Sequence, residues 1–312
     1  MIDDFIIEES LIVPPFLKEG DKIAIVSPAG VTRSRNVYNA LPVLQSYGWE
    51  PFTSPHAFGR HATFSGTPDE RYADLEQALL DPEVKAILCS RGGYGAVHLL
   101  ERLDELPLRD NAKWIIGFSD ISALHALMHK HGIASIHGPM AKHIASHSGE
   151  DSDSQALIEI LTGKGQTFEV APNKLNRPGT ATGPLLGGNM AVLTGLFGTP
   201  FNIFKPGSIM FIEDVSEPVY KIERMMYQLK LSGVLSQISG LIVGVFTEYS
   251  PDVDGRSMEE MIHELVADYD YPVAYGVPFG HGSRIIPFVE GVEATLTVSP
   301  DAVTISQPLD AE

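Results

Sequence analysis

Ser119 lies at the junction of a short apolar strand and a helix, where its hydroxyl is suitably placed for nucleophilic chemistry. The strand is predicted over 114–118 and the helix over 121–130. In enzymes with a nucleophile at such a turn, a small residue two positions earlier lets the chain bend, and the helix N-terminus offers N–H groups to an oxyanion. Gly117 is that small residue, whereas the usual second glycine is replaced by Ile121. A serine that only caps the helix is the alternative.

A glycine-rich loop upstream has the same strand-to-helix setting. The apolar segment 84–90 predicts a buried strand that runs into the loop 91–95, Arg-Gly-Gly-Tyr-Gly, and a helix follows over 96–103. Loops after the carboxyl ends of parallel strands gather at one edge of the sheet, where ligands bind. Gly92 and Gly93 let the backbone approach a ligand and offer N–H groups to a negative charge. A turn without a ligand is the alternative, and the spacing is not that of a dinucleotide fingerprint.

A carboxylate and a histidine in the second half of the chain have the chemistry to complete a site. Glu213 follows the apolar strand 208–212, and a carboxylate there is costly to bury without a partner. Glu217 precedes a proline at a helix start, where acids are common for electrostatic reasons. His281 stands between two glycines just after the predicted strand 272–275, so its backbone and not core packing positions it. An exposed loop histidine is the alternative.

Together Ser119, Glu213 and His281 supply a nucleophile, an orienting carboxylate and a general base. Such a set needs an imidazole that takes the hydroxyl proton near neutral pH and a carboxylate that holds the ring's tautomer. The order along the chain is serine, acid, histidine.

With these motifs in place, the chain resembles the LD-carboxypeptidases, serine peptidases that include murein tetrapeptide carboxypeptidases and microcin C immunity peptidases. The resemblance extends over almost the whole chain. It is carried by Gly20 to Gly30 (GDKIAIVSPAG), Arg91 to Gly95, Gly117-Phe118-Ser119-Asp120, Gly187-Gly188-Asn189, Ile212-Glu213-Asp214 and the loop around His281.

The resemblance implies roles for the matching residues. Ser119 corresponds to the nucleophile, Glu213 to the triad carboxylate and His281 to the base. The oxyanion hole would consist of the N–H groups of Gly92 or Gly93 and of Asp120. The implied reaction releases the terminal D-alanine from murein tetrapeptides during peptidoglycan recycling. Hydrolysis of a peptidyl or aminoacyl nucleotide of the microcin C type is the alternative within the family.

A metal-dependent hydrolase is a rival hypothesis, because several histidines are spaced four residues apart. His125 and His129 form one such pair, and His143 and His147 form another. Two histidines at this spacing can bind one zinc ion, but the first pair lacks the glutamate of H-E-x-x-H. We therefore predict neither a metal nor a cofactor. A complete set of nucleophile, acid and base also argues against a non-catalytic binding protein.

Composition and charge limit the partners of the protein. The chain has 312 residues, is 44% hydrophobic and carries a formal charge of −18. This acidity argues against nucleic acid as a partner. It also means that a substrate with carboxylates needs local cations in the cleft, for which Arg91 and Arg284 are candidates. The lone Cys89 is predicted to be a small core residue.

Length and element order predict two domains of an α/β fold. The expected boundaries are 1–145 for a domain with the nucleophile, 146–182 for a polar connection with a short helix near 157–161, and 183–312 for a domain with the acid and base. The resemblance implies that the first is flavodoxin-like with a mostly parallel sheet, that the second is smaller and mixed, and that the protein is a homodimer. No segment has the roughly 20 apolar residues that span a bilayer, and the acidic segment 1–9 is unlike a signal peptide. We therefore expect a cytoplasmic protein without membrane contact.

Overall fold

The computed structural model describes residues 10–253 and 255–309. The acidic segment 1–9, on which the argument against a signal peptide rests, lies outside the described residues. No helix in the described ranges is both long and apolar enough to cross a bilayer.

Thirteen strands and ten α-helices make up the described part of the chain. In the first half they are β1 (Lys22–Val26), α1 (Arg35–Tyr38), α2 (Leu41–Gln45), β2 (Glu50–Thr53), α3 (Pro68–Leu80), β3 (Val84–Cys89), α4 (Leu100–Leu103), β4 (Trp114–Gly117), α5 (Ser122–Lys130), β5 (Ser135–His137), α6 (Ala141–His147) and α7 (Ser152–Leu161). The second half contains β6 (Gln166–Val170), β7 (Gly179–Asn189), α8 (Met190–Gly195), β8 (Ile209–Val215), α9 (Val219–Leu231), β9 (Gly240–Thr247), α10 (Met258–Leu265), β10 (Val273–Gly280), β11 (Phe288–Glu290), β12 (Glu293–Val298) and β13 (Val303–Gln307).

The first sheet has six strands in the order β11-β5-β4-β3-β1-β2. Strands β1 to β5 are parallel, and β11 joins β5 in antiparallel orientation. Alternate strand residues enter two hydrophobic cores on opposite faces, Ile87 and Ile115 on one face and Leu88 and Ile116 on the other. Burial on both faces explains why these strands are nearly continuous apolar runs. The predicted α/β fold with a mostly parallel first sheet is confirmed.

The second sheet has seven strands in the order β10-β9-β8-β7-β12-β13-β6. Its β10, β9 and β8 are parallel, and the long β7 pairs in parallel with β8 over 185–189 and in antiparallel with β12 over 179–184. Helices α9 and α10 cover one face. Strands β12 and β13 form an antiparallel pair near the end of the described residues.

The segment between 146 and 182 holds more regular structure than its polar sequence indicates. Helix α7 begins at Ser152 and not near 157, because the side chain of Asp151 accepts hydrogen bonds from the N–H groups of Asp153 and Ser154. Strand β6 then joins the edge of the second sheet. At least one polar residue of this stretch, Asp151, therefore serves as a helix cap.

Candidate active site

Ser119 follows β4 by two residues and adopts a left-handed backbone conformation, with φ of +68°. Such a φ is uncommon for a residue with a side chain, and it recurs where structure holds a reactive group in place. A Cβ at Gly117 would lie 2.9 Å from the Ile121 side chain, so the turn needs a glycine there. The Ser119 hydroxyl is hydrogen bonded to His281 and caps no helix in the described structure.

The three residues of the predicted triad meet in space although they are separated by up to 162 positions. His281 Nε2 lies 2.9 Å from Ser119 Oγ, and His281 Nδ1 lies 2.6 Å from Glu213 Oε2. The Glu213 side chain is fully buried and the His281 side chain is 19% exposed. This arrangement can pass a proton from the hydroxyl to the imidazole while the carboxylate stabilises the imidazolium.

Backbone packing brings the carboxylate and the imidazole together. His281 directly follows β10, and Glu213 lies in β8. Gly280, the residue before His281, has φ of +90°, and a Cβ there would lie 2.5 Å from Glu213 Oε2. The glycine before the histidine is therefore needed for the approach of the two chains.

The glycine loop 91–95 lies directly against Ser119. A Cβ at Gly92 would lie 2.8 Å from Ser119 Cβ. Gly93 has φ of +128° and packs against Gly30. Within the described residues the N–H groups of Gly92 and Gly93 make no hydrogen bond, so they are available to a ligand. The carboxylate of Asp120 turns toward the loop and accepts the N–H of Ala96 at 2.8 Å.

A second set of contacts ties the end of β7 to the Ser119 turn. The hydroxyl of Ser122 accepts the N–H of Asn189 at 3.0 Å. The Asn189 side chain donates to Asp214 Oδ1 at 3.1 Å, and Asp214 also accepts the N–H of Ala191 at 2.8 Å. Burial raises the pKa of Asp214 to about 6. These partners of Asp214 are 23 and 25 positions away along the chain, so they leave no local signal in the sequence.

A cavity of about 390 Å³ opens beside Ser119. Its apolar wall includes Val97, Val192 and Leu196, and its acidic groups are Asp120, Asp214 and Glu217. The first two acids bond backbone N–H groups, whereas Glu217 pairs at 3.1 Å with Lys221, a half-exposed lysine. No cation lines this cavity among the described residues, so it suits an uncharged or positively charged group.

The two arginines that the sequence indicated for carboxylate binding have different surroundings. Arg284 pairs with Asp153 at 2.6 Å, and Asp153 also accepts the N–H of Ile285 at 2.7 Å. This contact holds the loop after His281 against α7. Arg91 donates to two carbonyl oxygens, those of Val31 and Gly92.

Three buried groups near the triad have the residue types of a metal centre. His125, His137 and Glu290 bring ligand atoms within 4.8 Å of one another. His125 already uses both ring nitrogens, with Gly117 O at 2.8 Å and Ser135 Oγ at 2.8 Å. It therefore has no lone pair free for a metal while these bonds persist. His129, its proposed partner in sequence, is not part of the cluster.

Comparison with known families gives a consistent match to both halves of the chain. A family model described as the LD-carboxypeptidase N-terminal domain matches residues 23–138, and one described as the LD-carboxypeptidase C-terminal domain matches residues 182–296.

Individual relatives extend over nearly the full length. The chain is 31% identical to a probable murein peptide carboxypeptidase of Bacillus subtilis, over 94% of this chain and 93% of the relative. It is 30% identical to a murein tetrapeptide carboxypeptidase of Pseudomonas aeruginosa, over 88% of this chain and 92% of that relative. The crystal structure of a muramoyltetrapeptide carboxypeptidase from Oxalobacter formigenes superposes with a TM-score of 0.83 at 29% identity, covering 92% of this chain and 98% of that one.

Proposed function

The chain belongs to the LD-carboxypeptidase family, and from that premise we propose that it is a serine carboxypeptidase that releases the terminal D-alanine from murein tetrapeptides. The observation that carries the proposal is the continuous contact from Ser119 through His281 to the buried Glu213, at 2.9 and 2.6 Å. The names of the relatives supply the substrate class.

Acylation begins with the neutral imidazole of His281. Its Nδ1–H donates to Glu213, which leaves Nε2 to accept the proton of Ser119 as Oγ attacks the carbonyl carbon of the scissile amide. Charge develops on the carbonyl oxygen, and the N–H groups of Gly92 or Gly93 and Asp120 stabilise it. The fixed left-handed turn at Ser119 holds the hydroxyl next to this loop before substrate arrives.

The same imidazole completes the reaction. The imidazolium of His281 gives its proton to the amine of D-alanine, which departs as the C–N bond breaks. Water then attacks the acyl-enzyme, with His281 as base and Ser119 as leaving group, and a tripeptide carboxylate is released. The balance is one water consumed and one amide cleaved.

The cavity beside Ser119 supports a murein peptide over a nucleotide. A murein tetrapeptide carries lysine or meso-diaminopimelate at the L-configured centre before D-alanine, and both residues bear an ammonium group. Three acidic residues and no cation line the cavity within the described residues, which favours that ammonium group. Phosphoryl or sulfamoyl groups of an aminoacyl nucleotide would find acids and no cation there, within the described structure.

A direct comparison of two substrates tests this proposal. The purified protein is incubated with a tetrapeptide that ends in D-alanine and, separately, with an aminoacyl sulfamoyl adenylate, and products are followed by mass spectrometry. We expect release of D-alanine and a much slower reaction with the nucleotide. Faster cleavage of the nucleotide would replace the proposed substrate by the microcin C type. An unchanged tetrapeptide would overturn the proposed reaction.

We place this activity in the cytoplasmic recycling of peptidoglycan and in a homodimer. An exposed stripe on α9 supports self-association, since Tyr220, Tyr227 and Leu231 lie on one helical face and are 53%, 49% and 84% exposed. Light scattering on the wild type and on Leu231→Glu tests the dimer. We expect the wild type to have twice the mass of the chain and the variant to be monomeric, and a monomeric wild type would contradict it.

A further inference from the structure

Lys142 is a cation in an unfavourable position near the catalytic residues. It is the second residue of α6, and its side chain is partly buried. Within residues 10–253 and 255–309 its ammonium makes no hydrogen bond and no ion pair. The first turn of a helix disfavours a positive charge. Burial lowers the pKa of Lys142, and the like charge of Arg91 lowers it further.

The backbone of Lys142 places this charge at the edge of the sheet that carries the glycine loop. Its N–H donates to the carbonyl oxygen of Ser90 at 3.2 Å, and Ser90 is the residue before Arg91. On the other side, the neighbouring His143 packs its ring 5.3 Å from Phe118, whose ring lies 5.1 Å from that of His281. Burial lowers the pKa of His143 to about 3, with Lys142 and His281 among the further causes.

Lys142 and Arg91 therefore lie on neighbouring segments, because the backbone of Lys142 is bonded to Ser90, the residue before Arg91. Uncompensated charges of this kind cost stability, because two like charges repel and a partly buried ammonium loses hydration. The peptide substrate brings the missing counter-charge. A peptidase that removes only the last residue has to recognise the terminal carboxylate, and this carboxylate lies one residue beyond the scissile amide.

We infer that Lys142, with Arg91 beside it, binds the terminal carboxylate of the substrate and thereby restricts cleavage to the last residue. Two of the Arg91 donor groups are occupied by the carbonyl oxygens of Val31 and Gly92, which fix the guanidinium in the loop. Lys142 supplies the flexible ammonium. Neither cation lines the acidic cavity beside Ser119, so the carboxylate and the ammonium of a murein peptide would bind at different places. This inference rests on the proposed function.

The test compares the tetrapeptide that ends in D-alanine with the same peptide ending in D-alanine amide. The wild type is expected to prefer the free acid at least tenfold in kcat/KM. In Lys142→Met the KM for the acid should rise at least tenfold with kcat within about threefold, while the amide reacts as in the wild type. Lys142→Arg should restore most of the preference. Lys164→Met is the matched control, since Lys164 is an exposed lysine that pairs with Glu159.

Each outcome separates this inference from the proposed reaction. If the wild type cleaves neither peptide, the proposed function fails first. If it cleaves the acid and Lys142→Met keeps the full preference for it, the inference is overturned and the proposed function stands. If the wild type cleaves acid and amide equally well, no carboxylate is recognised and the inference is likewise overturned. Unfolding curves for each variant verify that lost activity is not lost structure.

Discussion

Two clusters of histidine and carboxylate each pack a histidine ring against Phe118, and their hydrogen bonding differs. The ring of Phe118 packs 5.1 Å from His281 of the first cluster and 5.8 Å from His137 of the second. In the first, the imidazole contacts both a hydroxyl and a carboxylate at hydrogen-bond distance. In the second, neither ring nitrogen of His137 has a hydrogen-bond partner within the described residues. Here His125 Nε2 is 3.9 Å from Glu290 Oε1.

The comparison shows that residue type alone does not make a reactive site. Burial lowers the pKa of His137 well below its ordinary value and raises the pKa of Glu290 well above its own, so the charged form of each side chain is disfavoured. The second cluster is therefore suited to packing between β5 and β11. The first cluster has the hydrogen bonds that a proton transfer needs, and one side of its imidazole is open to solvent.

The largest expected effect comes from removing the hydroxyl of the first cluster. We predict that Ser119→Ala lowers kcat by about four orders of magnitude or more, because no other group in the triad can form the acyl-enzyme. The melting temperature should hardly change, since within the described residues the only side-chain hydrogen bond lost is the one to His281. Steady-state kinetics and thermal unfolding measure both. An active alanine variant would mean that Ser119 is not the nucleophile.

The next effect separates the orienting carboxylate from other acids. We predict that Glu213→Gln lowers kcat by about 10² to 10⁴, because an amide can hold the imidazole in the wrong tautomer. Glu217→Gln is the comparison, since Glu217 lines the cavity and pairs with Lys221. It should raise KM with little change in kcat. The opposite pattern, an active Glu213→Gln with an inactive Glu217→Gln, would move the role to Glu217.

A smaller effect on catalysis is expected from the glycine loop. We predict that Gly92→Val and Gly93→Val lower kcat at least tenfold, about 1.4 kcal/mol, with less change in KM. A side chain at Gly92 would press on Ser119, and one at Gly93 would press on Gly30. Gly20→Val is the control for strain at a positive φ, because Gly20 has φ of +85° and open space around it. If both loop variants keep the wild-type kcat, the oxyanion is stabilised elsewhere.

The sequence predicted the apolar strands and the grouping of Ser119, Glu213 and His281 better than it predicted the short helices and the side-chain contacts around them. Buried parallel strands are uninterrupted apolar runs, and the capping box of α3 is a local pattern in which Thr67 and Glu70 each accept the other's backbone N–H. The four- and five-residue helices α1 and α2 are too short for a periodic pattern. The contacts of Ser122 with Asn189 and of Arg284 with Asp153 join positions 67 and 131 apart, and no local pattern encodes such pairs.

The smallest effect on catalysis, and a clear effect on stability, is expected from the second cluster. The carboxyl of Glu290 is 2% exposed and accepts no hydrogen bond of ordinary geometry in the described structure, and the N–H of Gly187 offsets only part of the cost of burying its charge. Its folded-state pKa is therefore raised above the ordinary value of 4.5. A raised pKa gives stability that is fully present below the unfolded-state value and is lost as pH rises toward the folded-state value.

Glu290→Gln removes this ionisation and keeps the shape of the side chain. We predict that the variant gains stability relative to the wild type as pH rises above about 4.5, by up to about 1.4 kcal/mol per pH unit until the folded-state pKa is reached, with kcat unchanged within about twofold. Urea unfolding from pH 5 to 8 measures the difference, and Glu293→Gln, at an exposed position of β12, is the control. Parallel stability curves for Glu290→Gln and the wild type would mean that Glu290 is ionised in the folded protein. The second cluster would then be a charged site like the first, and the contrast between them would fail.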